Sequence, residues 1–364
     1  MKIIIIEPYF EGSHKNWTLE LQKNSSHEIE LLTLPGRYWK WRMHGGAIKL
    51  AQEFNKLHSY PDLIIASDML NLPVFNSIIK SDKIPTCMYF HENQITYPWS
   101  PMDRDIKMGR DHHYGFINYS SALASNHNFF NTDFHKSDFL SSLKGFLLNF
   151  PDYRGIENID LIEKKSTTLH LGLDLKRFDR FKITNKNNKP IILWNHRWEH
   201  DKNPNSFKNI LLEVSNKKID FNLILLGKNN QKKSGFFDDI ENSLKKHIIY
   251  SGYCEKFEDY AKYLWKSDIL MVTSIQDFFG ISIAEAAYCD TFPLLPNRLS
   301  YPEIYNYDFN KRFFYNDEDD AVNKLIYILK DKNLSTCNGR ELVKGFDWQN
   351  MIEKYDEAFE RVAL

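Results

Sequence analysis

Short apolar runs recur along this chain, separated by longer mixed segments, and that alternation limits the fold more than any other feature. A brief apolar run closed by polar turns reads as a strand buried on both faces, and the longer segment after it as a crossover helix. In the first half the runs are Lys2–Ile6, Glu28–Thr33, Asp62–Ser67, Thr86–Phe90, Ser121–Ser125 and Thr167–Leu171, with helices at Trp17–Gln22 and Gly46–Phe54. The polar, Lys- and Asn-rich stretch Phe181–Pro190 breaks the rhythm and reads as a linker. The runs resume at Pro190–Trp194, Phe221–Leu226, His247–Gly252, Ile269–Thr273 and Thr291–Leu295. In Trp348–Val362, the apolar residues Met351, Tyr355, Phe359 and Val362 recur at helical spacing. The expected architecture is α/β, with two Rossmann-like domains whose parallel sheets face each other across a cleft. The expected boundaries are 1–182, 183–345, and a helix at 346–364 that crosses back to the first domain. Ligands of such sheets bind at the carboxyl ends of the strands.

Composition narrows the function classes. With 42% hydrophobic and 26% charged residues, the chain has the balance of a folded globular protein. The 47 Lys and Arg residues against 48 Asp and Glu give a net charge of -1, which excludes a globally basic nucleic-acid coat but not a local basic patch. Cys87, Cys254, Cys289 and Cys337 are far apart and form no CxxC pair, so neither a structural zinc site nor a disulfide scaffold is expected. No apolar stretch approaches a membrane span, and Met1–Ile6 runs straight into a strand. The expectation is a cytoplasmic protein with reduced thiols and no membrane partner.

Four segments carry chemistry. Glu7–Lys15 follows the first strand; Gly12 and Ser13 there either expose backbone N–H groups to an anion or sugar hydroxyl, or simply turn and cap a helix. His91, Glu92, Asn93 and Gln94 follow a buried strand, where an imidazole can exchange one hydrogen bond with a ligand or be a satisfied loop histidine, and Glu92, Asn93 and Gln94 are candidate contacts to an acceptor. In Asn195–Pro204, Arg197 and Lys202 are a cation pair suited to a diphosphate, although Glu199 and Asp201 offer them a solvated alternative. Last, Asp277 and Glu285 flank seven residues including Phe279, Gly280 and Ile281. Backbone N–H groups at such a helix start favour phosphate, and Glu285 can accept both hydroxyls of a ribose; the plainer alternative is a helix with an N-terminal acid favoured by the dipole and a single exposed Glu. Together the four describe a donor-nucleotide site.

The Arg–Lys spacing and the paired acids on two α/β halves resemble the retaining glycosyltransferases of the GT-B fold, family 4. The first acid is Asp277 where that family has Glu, a side chain shorter by about one C–C bond, ~1.5 Å. The strings EPYFEGSHK, TLPGRYWKWR, YFHENQITYP, WNHRWEHDKNP and DFFGISIAEAAYCDTFPLLPNRLSYPE resemble the tRNA-queuosine mannosyltransferases over nearly the whole chain. That resemblance implies transfer of mannose from GDP-mannose, with retention, to the cyclopentene diol of queuosine in tRNA(Asp). It implies that Arg197 and Lys202 hold the donor diphosphate, with Asn195, Phe279 and the Gly280–Ile281 backbone around it. Glu285 would bind the ribose, Asp277 the donor sugar, His91 the reacting sugar, and Gly12 with Ser13 the donor–acceptor interface. No metal or other cofactor is implied.

An RNA acceptor has its own signal. No acid occurs between Glu30 and Glu53, while Arg37, Lys40, Arg42 and Lys49 interleave with Tyr38, Trp39 and Trp41. Cations among aromatics suit phosphate contacts and base stacking on a single-stranded loop, and Glu92, Asn93 and Gln94 are further candidate contacts to the acceptor tRNA. The other reading is an amphipathic strand or loop whose tryptophans pack on the core. Two rival functions remain open at this stage: the same enzyme class with a lipid or polysaccharide acceptor, and a non-catalytic module that binds a sugar nucleotide or RNA.

Overall fold

The computed structural model describes residues 1–81, 83–100, 103–108, 112–183, 189–227, 236–330 and 339–364. Cys337 and the centre of the expected linker, 184–188, lie outside the described residues. The chain divides into two compact units, Met1–Leu173 with Trp348–Leu364, and Asp174–Asp347.

The first unit is a six-stranded parallel sheet of β1 (Lys2–Phe10), β2 (Glu28–Pro35), β3 (Leu63–Ser67), β4 (Thr86–Phe90), β5 (His127–Phe130) and β6 (Ser166–Thr168), in the order β2-β1-β3-β4-β5-β6. The central strands β1 and β3 are isoleucine-rich and their middles are buried, as both-face burial requires; Ile3–Ile6 and Leu63–Ala66 have no exposed surface. The terminal helix Trp348–Ala363 belongs to this unit. Its Tyr355 hydroxyl donates to the His170 carbonyl and accepts from Trp17 Nε1, and Asp356 accepts from Ser25 and Ser26.

The second unit holds β7 (Ile191–Asn195), β8 (Asn222–Leu226), β9 (Ile248–Gly252), β10 (Ile269–Met271), β11 (Phe292–Pro296) and β12 (Phe314–Tyr315), in the order β12-β11-β10-β7-β8-β9 and again parallel. The strand order reverses between β7 and β10, and in the first unit between β1 and β3. At such a switch point the crossovers leave on opposite sides, opening a crevice beyond the strand ends.

The structure adds a strand that the sequence reading did not include, β12, and differs from it in three further places. Ser121–Ser125 is not a strand: Ser121–Ala124 ends the helix His112–Ala124, and the strand is β5, a few residues later. Its small residues suit close helix packing, and Ser121 Oγ accepts from Leu72 N and donates to Leu70 O. The basic-aromatic segment is neither strand nor loop from Trp39 onward; it opens the helix Trp39–Phe54. The units meet in sequence at Leu173/Asp174 and Asp347/Trp348 rather than at 182/183 and 345/346. The turn Lys176–Phe181 belongs to the second unit because Phe178 is buried there against Phe257, and Trp265 Nε1 donates to its carbonyl at 2.9 Å.

Candidate active site

In the second unit, the loops after β7 and β10 both leave from the switch point, which brings together the two motifs separated by about eighty residues in sequence. Lys202 lies in the turn His200–Lys202, buried, with Thr273 Oγ1 donating to its carbonyl at 2.9 Å. Its Nζ donates to Gln276 O at 2.9 Å and sits 3.1 Å from Asp277 Oδ2 and 3.3 Å from Asp201 Oδ2. Burial pushes the Asp277 carboxyl up, but the Lys202 ammonium and then His196 outweigh it and hold Asp277 below its ordinary value. Tyr301 OH adds a 2.8 Å bond to the same oxygen. Asp277 is therefore fixed on Lys202 and Tyr301. Arg197 is half exposed and pairs with Glu199 at 3.4 Å and Asp201 at 3.9 Å, which is the alternative the sequence offered.

Gly280 turns the chain into the helix Ile281–Tyr288 with a φ of +88°, a left-handed conformation that costs glycine little. The first N–H groups of that helix lack intrahelical acceptors and carry the positive end of its dipole. Asn195 Nδ2 donates to Ser282 O at 2.7 Å, tying the end of β7 to this first turn. Phe279 is buried under it. Glu285 is not a lone exposed acid: Arg177 Nη2 lies 3.1 Å from Oε1, and Tyr260 OH donates to Oε2 at 2.7 Å. Burial raises its carboxyl above the ordinary value, against the pull of Arg177. Arg177 in turn lies 4.1 Å over the Phe257 ring. Sequence reading missed Arg177, Tyr260 and Tyr301; an Arg beside an apolar turn and two tyrosines in helices carry no spacing signal.

In the first unit the switch point carries a buried polar cluster. Gly12 has a φ of +57° and starts the helix Gly12–Asn24, capped by Glu11 without a side-chain bond, so Ser13 is an exposed first-turn residue and not the cap. His91 follows β4; its N–H donates to Asp68 Oδ1 at 2.8 Å and its carbonyl accepts from Asn131 Nδ2 at 2.8 Å. The ring lies among His14, Trp17 and Tyr89, at centroid distances of 4.4, 4.8 and 4.9 Å. Burial, then the His14 charge, holds the His91 imidazole well below its ordinary range. His14 behaves oppositely: burial opposes its charge, but Glu7, 2.9 Å from Nδ1, outweighs it and lifts the imidazole to about 9. Burial raises the Asp68 carboxyl, whose Oδ2 has no partner. Glu7, His14 and Asp68 were not singled out from sequence. Glu7, His14 and His91 bring potential ligand atoms within 4.8 Å of one another, but Glu7 and His14 already satisfy each other as an ion pair.

The other residues of the His91 loop divide. Asn93 Oδ1 accepts from Ile95 N and Thr96 N, both at 3.0 Å, so this buried side chain builds the turn. Gln94 Nε2 donates to Glu92 Oε1 at 2.9 Å, and Gln94 N to Asn118 Oδ1 at 2.7 Å.

The basic-aromatic segment also divides. Trp39 packs with Met43, Met69, Tyr114 and Ile117. Lys40 is taken by Asp103 and Asp105, at 2.6 and 2.5 Å, below the rings of Trp39, Trp99 and Tyr114. Trp41 is 64% exposed, and a Cβ on Gly45 would meet its Cζ2 at 2.7 Å, so its indole lies across the helix backbone with a face outward. Arg37 is exposed, and Arg42 Nε donates to Pro35 O at 3.1 Å. Among the described residues, no helix is long and apolar enough to cross a membrane.

Comparison with known proteins supplies the chemistry. Residues 2–173 match the family profile described as tRNA-queuosine alpha-mannosyltransferase N-terminal, and residues 176–339 match glycosyl transferases group 1. A tRNA-queuosine alpha-mannosyltransferase of Drosophila melanogaster is 31% identical over 376 aligned residues, covering 99% of this chain and 96% of the relative. Among solved structures, sucrose-phosphate synthase from Thermosynechococcus elongatus superposes with a TM-score of 0.74 at 13% identity, covering 100% of this chain and 99% of that one. A glycosyltransferase from Rickettsia africae superposes with a TM-score of 0.68 at 16% identity, covering 99% and 98%. These neighbours establish the two-domain GT-B fold. The match to the fly enzyme runs from end to end, through both switch-point loops, and the chain accordingly belongs to the tRNA-queuosine alpha-mannosyltransferase family and is a glycosyltransferase.

Proposed function

We propose that the donor is GDP-mannose, that mannose is transferred with retention to the cyclopentene diol of queuosine in tRNA(Asp), and that the reaction takes place in the cytoplasm. The observation that carries this reading is the convergence of the loop holding Arg197 and Lys202 with the Asp277–Glu285 turn, in a chain of this family. Lys202 exchanges Asp277 for the donor diphosphate, Arg197 closes on it as a planar fork, and the first turn at Ile281 adds backbone N–H groups. Asp277, released, turns to the sugar. Glu285, held by Arg177 and Tyr260, keeps lone pairs for the ribose hydroxyls.

In the transfer step the bond from the sugar's anomeric carbon to the diphosphate oxygen breaks as the bond to the acceptor oxygen forms. The acceptor's proton passes to the departing phosphate oxygen. The two cations Arg197 and Lys202 offset the charge that develops there, so no metal is invoked. His91, kept neutral, faces the reacting sugar as a hydrogen-bonding group. Trp41, Arg37 and Arg42 present an aromatic face and cations to the anticodon loop, while Trp39 and Lys40 support that face from beneath.

Incubation with GDP-mannose and queuosine-containing tRNA, then digestion and mass spectrometry of the nucleosides, tests the reading. The expected result is a hexose mass gain on queuosine; donor binding without that gain rejects the acceptor.

A further inference from the structure

His196 stands between Asn195 and Arg197, directly after the end of β7. Its backbone is fixed by a close approach: a Cβ on Gly227, where φ is +143°, would lie 2.0 Å from the His196 carbonyl oxygen. Its ring meets the edge of Trp194 at a centroid distance of 5.1 Å, and Nδ1 is 3.3 Å from Ser282 Oγ in the first turn of the helix Ile281–Tyr288. The residue is 3% exposed, and Nε2 is buried without a hydrogen-bond partner. Lys202, Asp277, Asp201 and Arg197 all act on the imidazole electrostatically, which places it among the groups that would grip a diphosphate.

A buried, unpartnered imidazole nitrogen costs free energy unless something supplies the missing bond. The surroundings select what that is. Two cations and a helix amino end favour an anion, and an anionic oxygen needs a donor. A protonated imidazole beside Lys202 is disfavoured: burial, then that ammonium, pushes His196 down to about 4, so the ring is neutral at physiological pH. A neutral imidazole donates from one nitrogen and accepts at the other, and the choice is set by the hydrogen bond on its partner side.

We propose that His196 is a donor-binding residue: its Nδ1 accepts from the Ser282 hydroxyl, and its Nε2–H donates to a phosphate oxygen of the bound nucleoside diphosphate. The inference rests on reading the second unit as the sugar-nucleotide site. It adds a neutral hydrogen-bond donor to the two cations there. When Lys202 leaves Asp277 for the ligand, a phosphate oxygen supplies the acceptor for the Nε2–H.

Calorimetric titration of the full-length protein with GDP tests this. His196→Leu should weaken GDP binding about tenfold or more, the cost of one hydrogen bond to a charged group. His196→Gln, whose amide keeps an N–H at similar reach, should retain most of the affinity. Equal GDP affinity in the wild type and a folded His196→Leu variant would overturn the inference. Should the Leu variant lose its circular-dichroism signature, Ser282→Ala carries the test. That variant removes the bond that sets the tautomer and should weaken GDP several-fold; unchanged affinity overturns the assignment. A wild type that fails to bind GDP refutes the donor-site reading itself, an outcome distinct from a wild type and variants that bind alike.

Discussion

Replacing Lys202 with alanine should damage stability and transfer together, and the stability loss should grow with pH. The ammonium is 3.1 Å from Asp277 and 3.3 Å from Asp201, with side-chain exposures of 8%, 18% and 1% for the three residues. Removing one member of a buried ion pair leaves an uncompensated charge and costs about 3–5 kcal/mol. At about 2–4 °C per kcal/mol for a unit of this size, calorimetry should show the transition of the unit holding Lys202 falling by roughly 6–20 °C at neutral pH.

The pH dependence follows from Asp277. In the wild type its folded pKa lies below the ordinary 3.8, so the pair's stabilisation is present above that value and is lost as pH falls through the folded pKa. Without the ammonium, burial acts largely unopposed and lifts the folded pKa above the unfolded one. The variant then binds more protons folded than unfolded, and loses stability as pH rises through that window. The deficit relative to wild type should therefore be small near pH 4 and large at pH 7. Adding Asp277→Asn to the alanine variant should recover much of it. A deficit that is flat from pH 4 to 7, or no recovery in the double variant, would refute the assignment of Lys202 as the counter-charge of these carboxylates.

Four further variants have expected outcomes. Arg197→Ala should reduce mannosyl transfer on the order of a hundredfold or more, because oriented charge at a leaving group is a large term; its melting temperature should barely move, since its ion pairs are partly exposed. Glu7→Gln should destabilise most below pH 6.5: the raised folded pKa of His14, about 9, gives stability that is full below 6.5 and lost as pH rises through 9, so urea titrations of the two proteins should converge toward pH 10. Trp41→Ala should weaken binding to queuosine-containing tRNA by roughly 1–3 kcal/mol in filter binding, the worth of one stacked base, while its thermal stability stays near wild type. Trp39→Ala should lower stability instead.

The alternation of buried strands and crossovers was legible because it depends on local hydrophobic period, which each segment carries by itself. Where it failed, the local signal was ambiguous. Ser121–Ser125 is made of small residues that suit a close-packed helix as well as a strand, and β5 opens on His127 and Asn128. In the basic-aromatic string Trp41 is exposed while Trp39 packs, a split within one helix turn that composition does not signal. Asp277, Lys202 and Glu285 could be named from spacing. Their partners Arg177, Tyr260 and Tyr301 could not, since contacts between distant segments leave no periodic trace.

By itself, then, the sequence determined most of the strands, the two-sheet α/β layout and the residue types able to grip a sugar nucleotide, all of which follow from nearest-neighbour chemistry. Tertiary structure alone decided which charges meet: that Lys202 is held by Asp277 and Asp201, that Glu7 keeps His14 charged beneath a neutral His91, and that His196 is left with a bare nitrogen. The reason is physical. Hydrophobic period is a property of a segment, whereas an electrostatic state depends on burial and on whichever charges the topology brings within a few ångströms.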